Sequence, residues 1–290
     1  MASSFFALER HGLSAIRKLR ILLSHLASSK IPHWLLDKLI SSFVHFYGVD
    51  LSEAEIPPNG FCTFNSFFAR ALRPGARRFP EKAWLIPSPA EGRLLAEGSI
   101  TNGTHIHVKG ESYPINELLG ADSAPLVGGR FSVIYLAPPD YHRVHSPIDG
   151  KVRFARWVNG AIFPVNAIGQ KIPRIYARNE RIVVWQEGEG GEVAVTVLVG
   201  AMVVGGIELA FDKEFRQQTL VAALNHQRVF ERQYHGIRLS KGSEIGRFMI
   251  GSTVILLVKS THELLPVASV SQRIQLGEVL YCSQKGEMMQ

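Results

Sequence analysis

Cysteine is scarce in this chain: Cys62 and Cys282 are the only two in 290 residues. They form no disulfide framework and no Cys-x-x-Cys motif, so zinc fingers and knottin-like scaffolds are excluded and a reducing compartment is the default, a single long-range bridge being the alternative. Long apolar runs are missing too, since no segment reaches the roughly 20 residues that span a bilayer as a helix. The nearest, Val193 to Ile207, is 15 uncharged residues between Glu192 and Glu208, interrupted by Gly200, Gly205 and Gly206, and reads as buried strands joined by a turn. The N-terminus does not have the form expected of a secretory signal, because Glu9 and Arg10 precede any apolar stretch and Arg17, Lys18 and Arg20 then break it. An Arg-rich, acid-poor start also fits an organelle transit segment.

Acidic residues are in deficit, 25 against 32 Lys and Arg, for a net charge of +7. That excess admits anionic lipid or nucleic acid as partners. Its placement favours a basic arm: residues 1–40 hold Arg10, Arg17, Lys18, Arg20, Lys30 and Lys38 against only Glu9 and Asp37. What remains is the profile of an ordered, turn-rich globular protein, 46% hydrophobic and 20% charged with 26 Gly and 15 Pro.

Helical spacing places Ile16, Leu19, Leu23 and Leu26 on one face and Arg10, Arg17 and Lys18 on another, the pattern of an interfacial membrane helix or of a surface helix on the protein's own core. A second helix is expected from Pro32 to near Gly48, burying Leu35, Leu36, Leu39 and Phe43. A third follows Thr63 as cap, with Phe64, Phe67, Phe68 and Leu72 in register, and ends before Pro74. Beyond residue 80 strands are expected at Thr104 to Val108, Phe131 to Leu136, Lys151 to Trp157, Arg181 to Trp185, Val193 to Val204, Thr253 to Val258 and Gly277 to Cys282, with one short helix at Ile115 to Leu119. The fold class is therefore α+β and mostly β. A helical region (1–75) precedes a β-rich body (76–290).

Chemistry concentrates in Asp140-Tyr141-His142-Arg143-Val144-His145, after the Pro138-Pro139 turn. Histidine exchanges protons near neutral pH, and a neighbouring carboxylate can fix its tautomer, although two histidines in a surface turn would look the same. Ser88-Pro89-Ala90-Glu91-Gly92 offers a carboxylate in a turn, and Gly251-Ser252-Thr253 a hydroxyl at a strand entrance; alone, each reads as ordinary turn chemistry. His105 and His107, two apart on one strand face, would need His142 or His145 to complete a zinc site, and no Cys or His-Glu-x-x-His helix supports one.

In combination and in order, these segments resemble the phosphatidylserine decarboxylase proenzyme family, which is pyruvoyl-dependent. The resemblance rests on Phe64-Asn65-Ser66-Phe67-Phe68-Ala69-Arg70, Ser88 to Gly92, Lys109-Gly110, Asp140 to His145 and Pro164-Val165-Asn166. It continues through Ala177-Arg178-Asn179-Glu180-Arg181, Gly200-Ala201, Lys241-Gly242, Glu244, Gly246-Arg247-Phe248 and Gly251-Ser252-Thr253.

The resemblance implies a precursor that breaks between Gly251 and Ser252 into a long β chain (1–251) and a short α chain (252–290), held together as a heterodimer. Ser252 would attack the Gly251 carbonyl and become an N-terminal pyruvoyl group, the only cofactor, with neither metal nor pyridoxal phosphate. That group would form a Schiff base with phosphatidylserine and release carbon dioxide, giving phosphatidylethanolamine. His145 is implied as the base of self-cleavage, Glu91 or Asp140 as its orienting acid, and His142 as the residue that contacts substrate. Glu91 departs from the family pattern, which has Asp there. The resemblance further implies that the helical region 1–75 is membrane-associating, that the body 76–290 is catalytic and barrel-sandwich-like, and that homodimers form. It implies a peripheral protein on anionic membrane, at the cytoplasmic face of a bacterial cell or on an organelle, and no nucleic acid partner. Competing readings are a processing-deficient lipid-binding homologue and a serine hydrolase using Ser252 and His145, the latter without a Gly-x-Ser-x-Gly elbow.

Overall fold

The computed structural model describes residues 27–101, 105–108, 110–165, 172–201, 206–249 and 252–284. The expected first helix, together with Lys109, Asn166 and Gly251, lies outside them. Among the described residues no helix is long and apolar enough to cross a membrane.

The helix His33–Tyr47 starts just after Pro32, which is its N-cap rather than its first turn, and stops at Gly48, left-handed at φ 66°. Leu36 and Ile40 are buried, with Phe43 and Val44 partly so, against Phe61, Phe67 and Phe68. Leu35 and Leu39, expected inside, are exposed. Two apolar stripes share this helix, and only one can face the small aromatic core. The third helix is one short turn and a half, Phe64–Phe68, begun by a reciprocal capping box between Thr63 and Ser66. Leu72 leaves it for the two-residue strand Ala71–Leu72, paired with Ala54–Glu55.

The body is built on a nine-stranded antiparallel sheet. Its order runs Val229–Gln233, Gly150–Val158, Arg181–Glu187, Val193–Gly200, Ser252–Lys259, Arg130–Leu136, Gly92–Ser99 and Arg273–Ile274, with Arg238–Leu239 also on the Gly150–Val158 strand. The sheet is open, and no closed barrel forms among the described residues. Ser252–Lys259 lies mid-sheet and is apolar on both faces. Val254, Leu256 and Val258 enter one core, while Ile255 and Leu257 enter the other. Each such side chain contributes roughly 1.5–3 kcal/mol by leaving water, which explains why so continuous a β-branched run is a central strand.

The expected strands are present with bounds shifted by a residue or two, except that the one expected over Val193 to Val204 ends at Gly200, and the helix Ile115–Leu119 is where it was expected. A further helix, Phe215–Leu224, interrupts the body. Two three-stranded sheets flank the main one: Ile207–Leu209, Glu244–Phe248 and Arg143–His145, and Leu264–Pro266, Val279–Ser283 and Leu85–Pro87. The first of these carries the histidine cluster up to the main sheet.

Candidate active site

Ser252 opens the central strand, paired with Gly200 on one side and Leu136 on the other. Both neighbours lead directly into site structure. After Leu136 the chain turns through Ala137-Pro138-Pro139-Asp140, closed by the Asp140 amide donating to the Ala137 carbonyl at 2.9 Å. That carbonyl also accepts from His142 Nε2 at 3.1 Å. A carbonyl can only accept, so Nε2 carries the proton and Nδ1 is left as the acceptor for the Ser252 hydroxyl, 3.3 Å away. Ser252 and His142 are both fully buried. The His142 ring stacks on Phe68 from the N-terminal region, centroids 4.0 Å apart. Desolvation, then the nearby Arg70 charge, push the His142 pKa down to about 3, so the ring is neutral at pH 7.

His145 is held in the opposite tautomer. Its Nδ1 donates to the Gly242 carbonyl at 2.7 Å, and its Nε2 accepts from the Tyr141 hydroxyl at 3.0 Å. Gly242 stands at φ +85°, and a Cβ there would lie 2.8 Å from the Phe79 ring, so conformation and space both require glycine. Burial holds His145 below the usual histidine range, opposed by hydrogen bonding to Gly242 and by the Glu244 charge. The ring therefore keeps an unprotonated nitrogen at neutral pH, and the neighbouring carboxylate favours an imidazolium that nothing comparable favours at His142.

The two expected acids sit elsewhere than on the histidines. Glu91 takes a two-point ion pair from Arg77, at 2.7 and 2.9 Å, and accepts from the Leu276 amide. Its segment meets the cluster through backbone instead, the His145 amide donating to the Pro89 carbonyl at 2.8 Å. Asp140 accepts from the Ala137 amide at 2.7 Å and pairs with Arg273 at 2.6 Å. It fixes the turn whose carbonyl sets the His142 tautomer, and so acts on that ring at one remove. Burial raises the Asp140 pKa, while Ala137 and Arg273 oppose the shift.

The Ala137 and Gly242 carbonyls, the Tyr141 hydroxyl and Phe68 are site groups that the sequence did not point to. Backbone acceptors leave no side-chain signal, and Phe68 read as core. The matching segment Ala177 to Arg181 bonds the backbone around it. Asn179 bridges the Phe163 and Gly200 backbones, and the buried Arg181 guanidinium bonds the carbonyls of Glu117, Leu118, Ala177 and Asn179. His105 and His107 share an exposed strand face, and among the described residues no three His, Cys, Asp or Glu side chains are grouped to hold a metal ion. Cys62 and Cys282 are both free.

A nucleophilic side chain at the head of a central strand, closed off from solvent and hydrogen-bonded to a neutral imidazole, defines a β-rich protein whose serine faces its own fold rather than an open cleft. A family model for phosphatidylserine decarboxylase matches residues 64–282, and the chain belongs to that family. It is 38% identical over 266 residues to the phosphatidylserine decarboxylase proenzyme of Marinobacter nauticus, covering 89% of this chain and 90% of that protein. The corresponding proenzymes of Alcanivorax borkumensis and Pseudomonas aeruginosa are 39% and 42% identical over 285 and 229 residues, covering 94% and 77% of this chain and 93% and 78% of theirs.

Proposed function

We propose that this chain is a self-processing phosphatidylserine decarboxylase. The observation that carries the reading is the buried Ser252 hydroxyl against His142, at the strand entrance where cleavage is expected. Ser252 Oγ attacks the Gly251 carbonyl carbon and the amide nitrogen of residue 252 leaves as an amine, so the peptide bond becomes an ester. Loss of the Ser252 Cα proton then expels Gly251 as a carboxylate and leaves dehydroalanine, which tautomerises and takes up water, releasing ammonia. The short chain then begins with a pyruvoyl group, whose conjugated carbonyl supplies the electron sink for decarboxylation.

His145 takes the Ser252 proton and returns it to the leaving amine. Its electrostatics support that role over His142, because a ring that protonates only near pH 3 makes a poor base. His145 must first give up the Tyr141 hydroxyl. His142 orients the serine hydroxyl before cleavage and handles protons beside residue 252 afterwards. Asp140 positions His142 through the Ala137 turn. Glu91 holds the Ser88 to Gly92 segment on Arg77, and that segment supports the His145 backbone.

Membrane contact is supported by the outward stripe of the helix His33–Tyr47, where Trp34 and Phe46 are 64% and 80% exposed alongside Leu35 and Leu39. Aromatic and aliphatic groups of this kind enter the headgroup boundary, and the basic residues at 10, 17, 18 and 20 would add attraction to anionic lipid.

Intact mass spectrometry of wild type, His145→Ala and His142→Ala tests the assignment. Wild type is expected to yield a 252–290 fragment with a pyruvoyl end. His145→Ala is expected to stay whole, and His142→Ala to cleave but release no carbon dioxide from phosphatidylserine. A wild-type chain that stays whole rejects the reading, and cleavage of His145→Ala with arrest of His142→Ala reverses the two roles.

A further inference from the structure

Beside the histidine cluster lies a cavity of about 580 Å³ whose wall includes Arg70, Arg143, Arg216 and Arg247, with Glu55, Glu208 and Met249. Three of the four guanidiniums are balanced by carboxylates. Arg143 pairs with Glu244 at 2.8 Å, Arg216 with Glu208 at 2.5 Å, and Arg247 with Glu244 at 3.2 Å. Arg70 differs from them. It is only 5% exposed, and its Nη2 donates to the Pro139 carbonyl at 2.9 Å, while its Nε and Nη1 are buried without any hydrogen-bond partner. No carboxylate within ion-pair distance neutralises it among the described residues. A guanidinium stays charged even when burial lowers its proton affinity, as it does here. The charges of Asp140 and Glu91 reach Arg70 only at longer range, and its guanidinium lies over the Phe67 ring at 5.7 Å. A buried cation with two unbonded nitrogens on a cavity wall is thus left for an anion to complete.

Arg70 is also tied to the reacting residue. Its Nη2 bonds the same Ala137 to Asp140 turn that holds His142, and Phe68, two residues earlier, stacks on the His142 ring. An anion on Arg70 therefore sits against the segment that faces Ser252. We propose that Arg70 is the anchor for the phosphodiester of the lipid headgroup, acting as a binding and specificity residue for the decarboxylation. This rests on the decarboxylase reading. The substrate offers two anions, a phosphodiester and a carboxylate, and the chemistry selects between them. The carboxylate loses its charge as carbon dioxide departs, so a guanidinium on it would hold the ground state more tightly than the transition state. The phosphodiester keeps its charge throughout, and a cation there binds both states alike.

The test uses the full chain. Wild type, Arg70→Gln and Arg70→Lys are first confirmed to self-cleave by intact mass, then assayed for carbon dioxide release from phosphatidylserine in mixed micelles. Arg70→Gln is expected to raise KM at least tenfold with kcat within about threefold, and Arg70→Lys to fall between. A KM unchanged in Arg70→Gln, or a loss confined to kcat, overturns the anchor. Wild type that makes no carbon dioxide instead defeats the decarboxylase reading.

A second measurement does not depend on turnover or on cleavage of the variants. The uncleavable Ser252→Ala chain is titrated calorimetrically with glycerophosphoethanolamine, which has the diester and no carboxylate, and with free serine, which has the reverse. Adding Arg70→Gln should weaken the diester at least tenfold and leave serine unaffected. Absence of diester binding to the Ser252→Ala parent, or a loss restricted to serine, refutes the proposal.

Discussion

Asp140 and Arg273 meet at 2.6 Å across the point where the chain is expected to divide, one residue upstream of Ser252 in sequence and the other downstream. Asp140 is almost completely buried, and its second oxygen holds the Ala137 amide. Asp140→Asn retains an acceptor for that amide and should process within about tenfold of wild type. Asp140→Ala removes it, frees the turn that sets the His142 tautomer, and should slow maturation by more than a hundredfold, read as the time course of the short fragment on a denaturing gel.

Glu91 provides a separate expectation, since its carboxylate is committed to Arg77 rather than to a histidine. Glu91→Asp should preserve or speed processing. Glu91→Ala leaves Arg77 with only the half-exposed Glu53 and should cost about 1–3 kcal/mol of stability, measured by urea unfolding of the uncleaved Ser252→Ala chain.

Acid should act through His142. Its folded-state pKa, about 3, lies below the ordinary value of 6.5, so the unfolded chain binds more protons between those limits. Stability therefore rises with pH across that window and is lost as pH falls from 6.5 toward 3, by about 2 kcal/mol at pH 5 from this one group. Asp140, raised by burial, works in the opposite direction. Comparing urea midpoints of Ser252→Ala with and without His142→Gln isolates the histidine, and the double variant should lose less between pH 7 and pH 5.

Removing residues 1–30 should weaken binding to anionic vesicles more than it slows self-cleavage. Substituting both Trp34 and Phe46 by Ala should do the same through the helix itself, with vesicle sedimentation as the readout. Unchanged sedimentation of the truncated chain would discount the arm, and of the double variant the helix.

Much of this architecture was legible because its central strands are buried on both sides. A run such as Ser252–Lys259 has no polar face to blur it. The strand Gly92–Ser99 was harder to see, carrying Arg93 and Glu97 and broken in register between Leu94 and Ala96. The helix Phe215–Leu224 was harder still, since its buried side is Phe215, Thr219 and Ala222, a contact stripe without an apolar signature. In His33–Tyr47 the difficulty was the reverse: apolar residues on both sides left the buried face undetermined until Phe67 and Phe68 were in place. At the site, sequence brought Ser252, Asp140, His142 and His145 into view. It could not show that His142 touches the serine while His145 bonds Tyr141 and Gly242, because that sorting is done by two backbone carbonyls.

The strand that begins at Ser252 is laced to Val193–Gly200 along eight residue pairs and to Arg130–Leu136 along seven. A break just ahead of it would cut the covalent thread but none of the lacing. The matured protein would then be a two-piece object in a shape that only the one-piece precursor was built to reach by folding as a single chain. Once unfolded by urea, it would have to thread a free 39-residue peptide back between the two strands that flank it. Folding and chemistry would thus be ordered in time, and the memory of that order would be kept in the middle of the sheet.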